Sequence, residues 1–159
     1  MAPLVVQVVA TLLARIRYGW RDAARIGIAV MFLFTASSRL SPDITRDLAN
    51  MIPPPFTGNF WLIYLTGLLE ALGAIGLLIT RTRRLAGICL VILLVALFPA
   101  NVYAALHGVT LRGSAASPLW YRAPLQLLWI ATVWWSAVAL PRAGIENAKL
   151  KIEKSEVRA

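Results

Sequence analysis

The chain has 159 residues, 59% of them hydrophobic and 14% charged, with a mean hydropathy of +0.71. That balance excludes an ordinary soluble globular domain and predicts a membrane protein whose first partner is the lipid bilayer. The net charge of +9 is not a nucleic-acid footprint, because the basic residues sit at the ends of apolar runs and form no stripe interleaved with aromatics.

Lipid offers the backbone no hydrogen-bond partners, and the apolar runs lack strand-like alternation. The predicted fold class is therefore all-α, a transmembrane four-helix bundle with an N-terminal interfacial helix. Three regions follow: residues 1–19 as an amphipathic interfacial segment, 20–140 as the four-span domain and 141–159 as a basic cytoplasmic tail.

The first apolar run covers about eleven residues, roughly 17 Å of helix, too short for a hydrocarbon core of about 30 Å. Its polar positions Gln7, Thr11, Arg15 and Asp22 recur at nearly helical spacing, which suits a helix lying in the interface. A secretory signal would carry its charge before the run, whereas Arg15 and Arg17 follow it.

Residues 20–40, "WRDAARIGIAVMFLFTASSRL", form the first predicted span, with Arg21, Asp22 and Arg25 near its inner end. A polar loop, "SPDITRDLANMIPPPFTGN", is expected next, packing as a cap, its three prolines barring a helix where they stand. Residues 59–80 make the second span and 85–106 the third, joined by the basic turn "RTRR". After the loop "HGVTLRGSAASP" comes a fourth span, residues 120–140.

Orientation follows from counting Lys and Arg. Twelve of the sixteen lie on the N-terminal flank, in the turn between spans two and three, or in the tail; Arg39, Arg46, Arg112 and Arg122 lie on the other side. The positive-inside rule then predicts a multi-pass protein with both termini in the cytoplasm.

Glu70 is the residue that this topology does not explain. It stands mid-way along the second span, about 15 Å from either end, and its helical neighbours Thr66, Gly67, Gly73 and Ala74 are small. A face of small residues meets another helix closely, so Glu70 is expected to point into the bundle and to be paired or protonated there. Candidate partners are Arg39 and Ser38 at the end of the first span, Asn101 in the third and Gln126 in the fourth. Pro99 in "FPANVYAAL" deprives the Val95 carbonyl of its helical donor and predicts a kink. Asn101, Gln126 and Pro99 also have a purely structural reading, as interhelical hydrogen bonds and packing.

No Ser/His/Asp set, glycine-rich phosphate loop or pair of acids occurs in any span, so hydrolase and nucleotide readings have no residues to rest on. The lone Cys89 rules out an internal disulfide or a CxxC pair, and with a single histidine, His107, a conventional zinc or haem site has too few ligands. No metal site and no built-in cofactor is expected.

The strings "FLFTASSRL", "MIPPP", "YLTGLLEALGAIGLLITRTRRLAG" and "FPANVYAAL", in that order and spacing, resemble the DoxX-like family of small four-helix membrane proteins over roughly residues 26–106. Carried over by position, that family's pattern falls on Pro53, Pro54, Gly67, Glu70, Pro99 and Asn101, with Gly73 on the same helix face. Many of its members carry a histidine and an aromatic where this chain has Arg39 and Leu40. The resemblance implies a bacterial cytoplasmic (inner) membrane and a place beside quinone-linked or stress-related redox systems. A quinone bound near Glu70 is then the candidate ligand, and a redox protein the candidate partner. The alternative is a second class, a non-catalytic assembly or interaction protein, self-associated or bound to another chain, as the assembly role of distant animal relatives implies.

Overall fold

The computed structural model describes residues 2–15, 19–111, 114–115 and 118–139. Within them the regular elements are helices, apart from one two-residue antiparallel pairing. The predicted tail, residues 141–159, lies outside the described residues.

Helix α1, Ala2–Arg15, packs along α2, Trp20–Ser38. Gly27 of α2 makes that approach close: a Cβ there would meet the Gln7 carbonyl oxygen at 2.8 Å. Gln7 is buried, whereas Val5, Val8, Val9, Leu12 and Leu13 face outward. The polar side of α1 therefore lies against its neighbour and the apolar side is exposed, the arrangement opposite to a helix of a soluble protein.

The expected polar loop after α2 is largely a helix. Residues Pro42–Asn50 form α3, set at 95° to α2. Its start follows ordinary rules: Ser41 precedes it, Pro42 occupies the first turn with its φ preset, and Asp43 faces the positive end of the helix dipole. Ile44, Thr45 and Ala49 are buried. Ala49 and Ile52 pack with Ile63, which fastens α3 to the first turn of the next helix. Only the proline segment beyond Asn50 stays non-helical, with a cis peptide between Pro54 and Pro55.

Helix α4, Phe60–Leu78, begins at Asn59, whose side chain accepts a hydrogen bond from the Leu62 amide. Its buried residues are Ile63, Gly67, Glu70, Gly73, Ala74 and Leu77, a stripe at helical spacing, while Leu65, Leu68, Leu72 and Ile75 face outward. Helix α5, Arg83–Leu106, contains Pro99. Strands β1 (Thr110–Leu111) and β2 (Ser114–Ala115) pair beyond it, and β1 touches α3. Helix α6, Leu119–Val133, contains Pro124 and continues into a π-helical turn, Trp134–Val138. Arg21 of α2 donates to the Trp135 and Ala139 carbonyls, groups that a helix end leaves without intrahelical donors.

The main core lies between α2, α4, α5, α6 and the π turn, built on Ile28, Met31, Leu77, Leu90 and Val133. Among the described residues two helices, α4 and α5, are long and apolar enough to cross a bilayer, and α2 with α3 would make a third if counted as one broken span. At 1.5 Å per residue α4 is about 28 Å long, close to the thickness of a hydrocarbon core. These helices fit a membrane protein.

Candidate functional site

Glu70 is 4% exposed and points into the bundle. One carboxyl oxygen takes a hydrogen bond from the Arg39 guanidinium at 2.5 Å, and the other lies 3.3 Å from the Thr35 hydroxyl. Arg39 follows the last residue of α2, and its side chain runs inward along α4. Gly67 makes the path: a Cβ at that position would meet Arg39 Cδ at 2.9 Å. The second guanidinium nitrogen donates to Thr66 Oγ1 at 2.9 Å, while the Thr66 hydroxyl hydrogen has the Leu62 carbonyl at 2.8 Å. The Arg39 backbone carbonyl in turn accepts from Thr45 Oγ1 at 2.6 Å. A single residue thus ties together the ion pair, α4 and the start of α3.

A second polar group faces this one from α5 and α6. Arg122 donates to Asn101 Oδ1 at 3.2 Å, Asn101 Nδ2 donates to Gln126 Oε1 at 3.1 Å, and Gln126 Nε2 donates to the Leu94 carbonyl. The direction of the chain is set at both ends, because a guanidinium can only donate and a carbonyl can only accept. Both amides are therefore oriented without ambiguity. The chain ends beside Val95, whose carbonyl Pro99 leaves without its usual donor.

Both groups border one cavity of about 340 Å³, within the range of small-molecule sites. Thr35, Arg39, Thr66, Glu70, Asn101 and Gln126 supply its polar walls. Met31, Phe32, Leu94, Leu97 and Trp129 supply apolar ones, and Leu48, Met51, Ile52 and Pro53 close it from the α3 side. Trp129 carries a buried indole N–H with no hydrogen-bond partner. A buried donor of that kind costs free energy unless something accepts from it.

Of the residues singled out in the sequence, Glu70, Asn101, Gln126 and Arg39 line this cavity together with Pro53 and Pro99. Ser38 is not among the lining residues; its hydroxyl donates to the Thr35 carbonyl one turn back in its own helix. Thr35 takes the role expected of Ser38, and it stands one turn before Arg39, a spacing that helical geometry alone could have pointed to. Gly67 and Gly73 serve close approach, Gly73 to Leu90, where a Cβ would meet Leu90 Cγ at 2.6 Å. Pro54 is exposed in the segment after α3. His107 stacks on Tyr103 at the end of α5, 4.0 Å between ring centroids. Cys89 is exposed, and among the described residues no three His, Cys, Asp or Glu side chains gather as a metal site would require.

No curated protein and no solved structure matches the chain. A family described as "Domain of unknown function (DUF8561)" matches residues 28–137, from the middle of α2 to the π turn, and the chain belongs to that family.

Proposed function

We propose that this chain is a four-span protein of the bacterial inner membrane, distantly akin to the DoxX-like proteins. Its cavity would hold a small, mostly apolar molecule with hydrogen-bond acceptors, a quinone being the candidate. The fourth span is α6 with the π turn, and the positive-inside count puts both termini in the cytoplasm. Any electrons in such a reaction come from a partner redox protein.

The observation that carries this reading is the cavity itself, apolar over most of its wall and bordered by polar groups from α2, α4, α5 and α6. The oriented Asn101 amide, whose Nδ2 carries a second hydrogen besides the one given to Gln126, is a donor suited to a carbonyl oxygen, and Trp129 of the same wall has an indole N–H without a partner. The test is a titration of a tailless benzoquinone into the protein in mild detergent, followed by tryptophan emission. Saturable quenching is expected, weakened in Glu70→Gln and in Trp129→Phe. A flat titration of the unaltered protein sinks the reading.

One observation favours a second reading. Glu70 and Arg39 neutralise each other within the bundle, so the pair can set the register of α2 against α4 with no ligand, as expected of an assembly or interaction protein. Glu70→Gln would then weaken folding or complex formation and leave ligand affinity unaltered. Recovery of the chain alone from a mild-detergent pull-down would count against this alternative.

A further inference from the structure

A second void, of about 190 Å³, lies between α5 and α6 and is lined by Val95, Phe98, Ala123, Gln126, Leu127 and Ile130. Its accessible walls are wholly apolar. Val95 and Leu127, at 57% and 66% exposure, place it on the outward face of the two helices. Gln126 borders both this groove and the cavity behind it. Its side chain crosses the seam and is held by the Leu94 carbonyl and by Asn101. Each helix carries an internal proline near this level, Pro99 in α5 and Pro124 in α6, and each proline removes one backbone donor from its helix. Gln126 is the residue that the two linings share, so a route from one void to the other would run past its amide.

Resting on the reading of the cavity as a ligand site, we propose that its ligand is a single-chain amphiphile, with the head in the cavity and the hydrocarbon chain laid in the α5–α6 groove past Gln126. The charges favour a neutral head: Arg39 is already neutralised by Glu70, and Arg122 is bonded to Asn101 Oδ1. A carbonyl on the head would accept from Asn101 Nδ2 in place of Gln126, which leaves the Gln126 side chain held by the Leu94 carbonyl alone and easier to displace from the seam. The apolar groove then shields the first carbons of the chain before it reaches lipid. Lipid is as apolar as the groove, so the groove adds little affinity; what it provides is room for the tail.

Room is what the experiment removes. In nanodiscs, a tailless benzoquinone and the same ring bearing a decyl chain are titrated against the unaltered protein and against Ala123→Trp, which fills the groove without touching the cavity. The unaltered protein is expected to take both rings. Ala123→Trp should keep the tailless ring, showing that it is folded, and lose affinity for the decyl ring by roughly tenfold or more, as overpacking would give. Equal binding of the decyl ring by both proteins overturns the groove while leaving the cavity reading intact, as does unaltered protein that takes only the tailless ring. Loss of both rings in Ala123→Trp and also in the milder Ala123→Leu overturns the division into head cavity and chain groove. Failure of either ring to bind the unaltered protein removes the cavity reading and this proposal with it.

Discussion

The two polar walls of the cavity solve the same problem in different ways. On the α2–α4 side a guanidinium and a carboxyl group meet at 2.5 Å, with side chains 13% and 5% exposed. On the α5–α6 side two neutral amides form a directed chain that starts at one partly exposed arginine. Neutral amides away from water need partners but survive the loss of one at modest cost; a buried charge does not. The charged wall should therefore govern stability, and the amide wall, whose bonds can be exchanged, should be the side that yields to a ligand.

The contrast is broken most directly at Arg39. Arg39→Leu leaves Glu70 buried without its countercharge and is expected to cost about 3–5 kcal/mol, read as a lower midpoint of thermal unfolding in detergent. The double change Arg39→Leu with Glu70→Leu should recover most of that loss, since it removes both charges. If the double variant is no more stable than the single one, the pair is not what makes this wall costly to disturb. Gly67→Ala comes next. The added methyl would meet Arg39 Cδ at 2.9 Å and push the guanidinium from Glu70, and the better helix propensity of alanine offsets part of the loss. A net cost of about 1–2 kcal/mol is expected, vanishing in an Arg39→Leu background where no arginine stem fills the space.

Much of the charged wall is legible in the sequence. An acid centred in a long apolar run, with small residues at helical spacing around it, must face a neighbouring helix, and Arg39 is a cation long enough to reach it. The amide wall is legible as residue types at matching depths, but not as a chain, because its direction depends on the Leu94 carbonyl and no sequence pattern marks a backbone group. The helix within the cap departs from the expected loop for a different reason. The prolines at 53–55 bar a helix only where they stand, whereas the serine–proline–aspartate start at Ser41 is a helix-initiation signal that acts locally, several residues before those prolines intervene. Arg39 holding α3 through its backbone carbonyl could not be read at all, since it needs the 95° turn that follows α2.

On the amide wall, Gln126→Leu removes the bonds to Asn101 and to the Leu94 carbonyl yet strands no charge. The expected cost is about 1 kcal/mol, in line with interhelical hydrogen bonds in membrane proteins. Thermal unfolding beside Arg39→Leu in the same detergent checks the ranking. A loss as large as that of Arg39→Leu would mean that the two walls do not differ in kind.

The smallest effect is expected at Thr35, and it decides where the charged wall ends. The Thr35 hydroxyl has one hydrogen and two acceptors in reach, the Phe32 carbonyl at 2.9 Å and Glu70 at 3.3 Å. The shorter contact, within its own helix, claims the hydrogen, so the carboxylate leans on Arg39 and little on Thr35. Thr35→Val keeps the shape and removes the hydroxyl, and it should lower stability by about 0.6 kcal/mol or less. A loss of about 2 kcal/mol, the size of a hydrogen bond to a charged group, would show that the hydrogen goes to Glu70 instead. The ion pair would then depend on a third residue, and Arg39→Leu with Glu70→Leu should restore stability only when Thr35 is replaced as well.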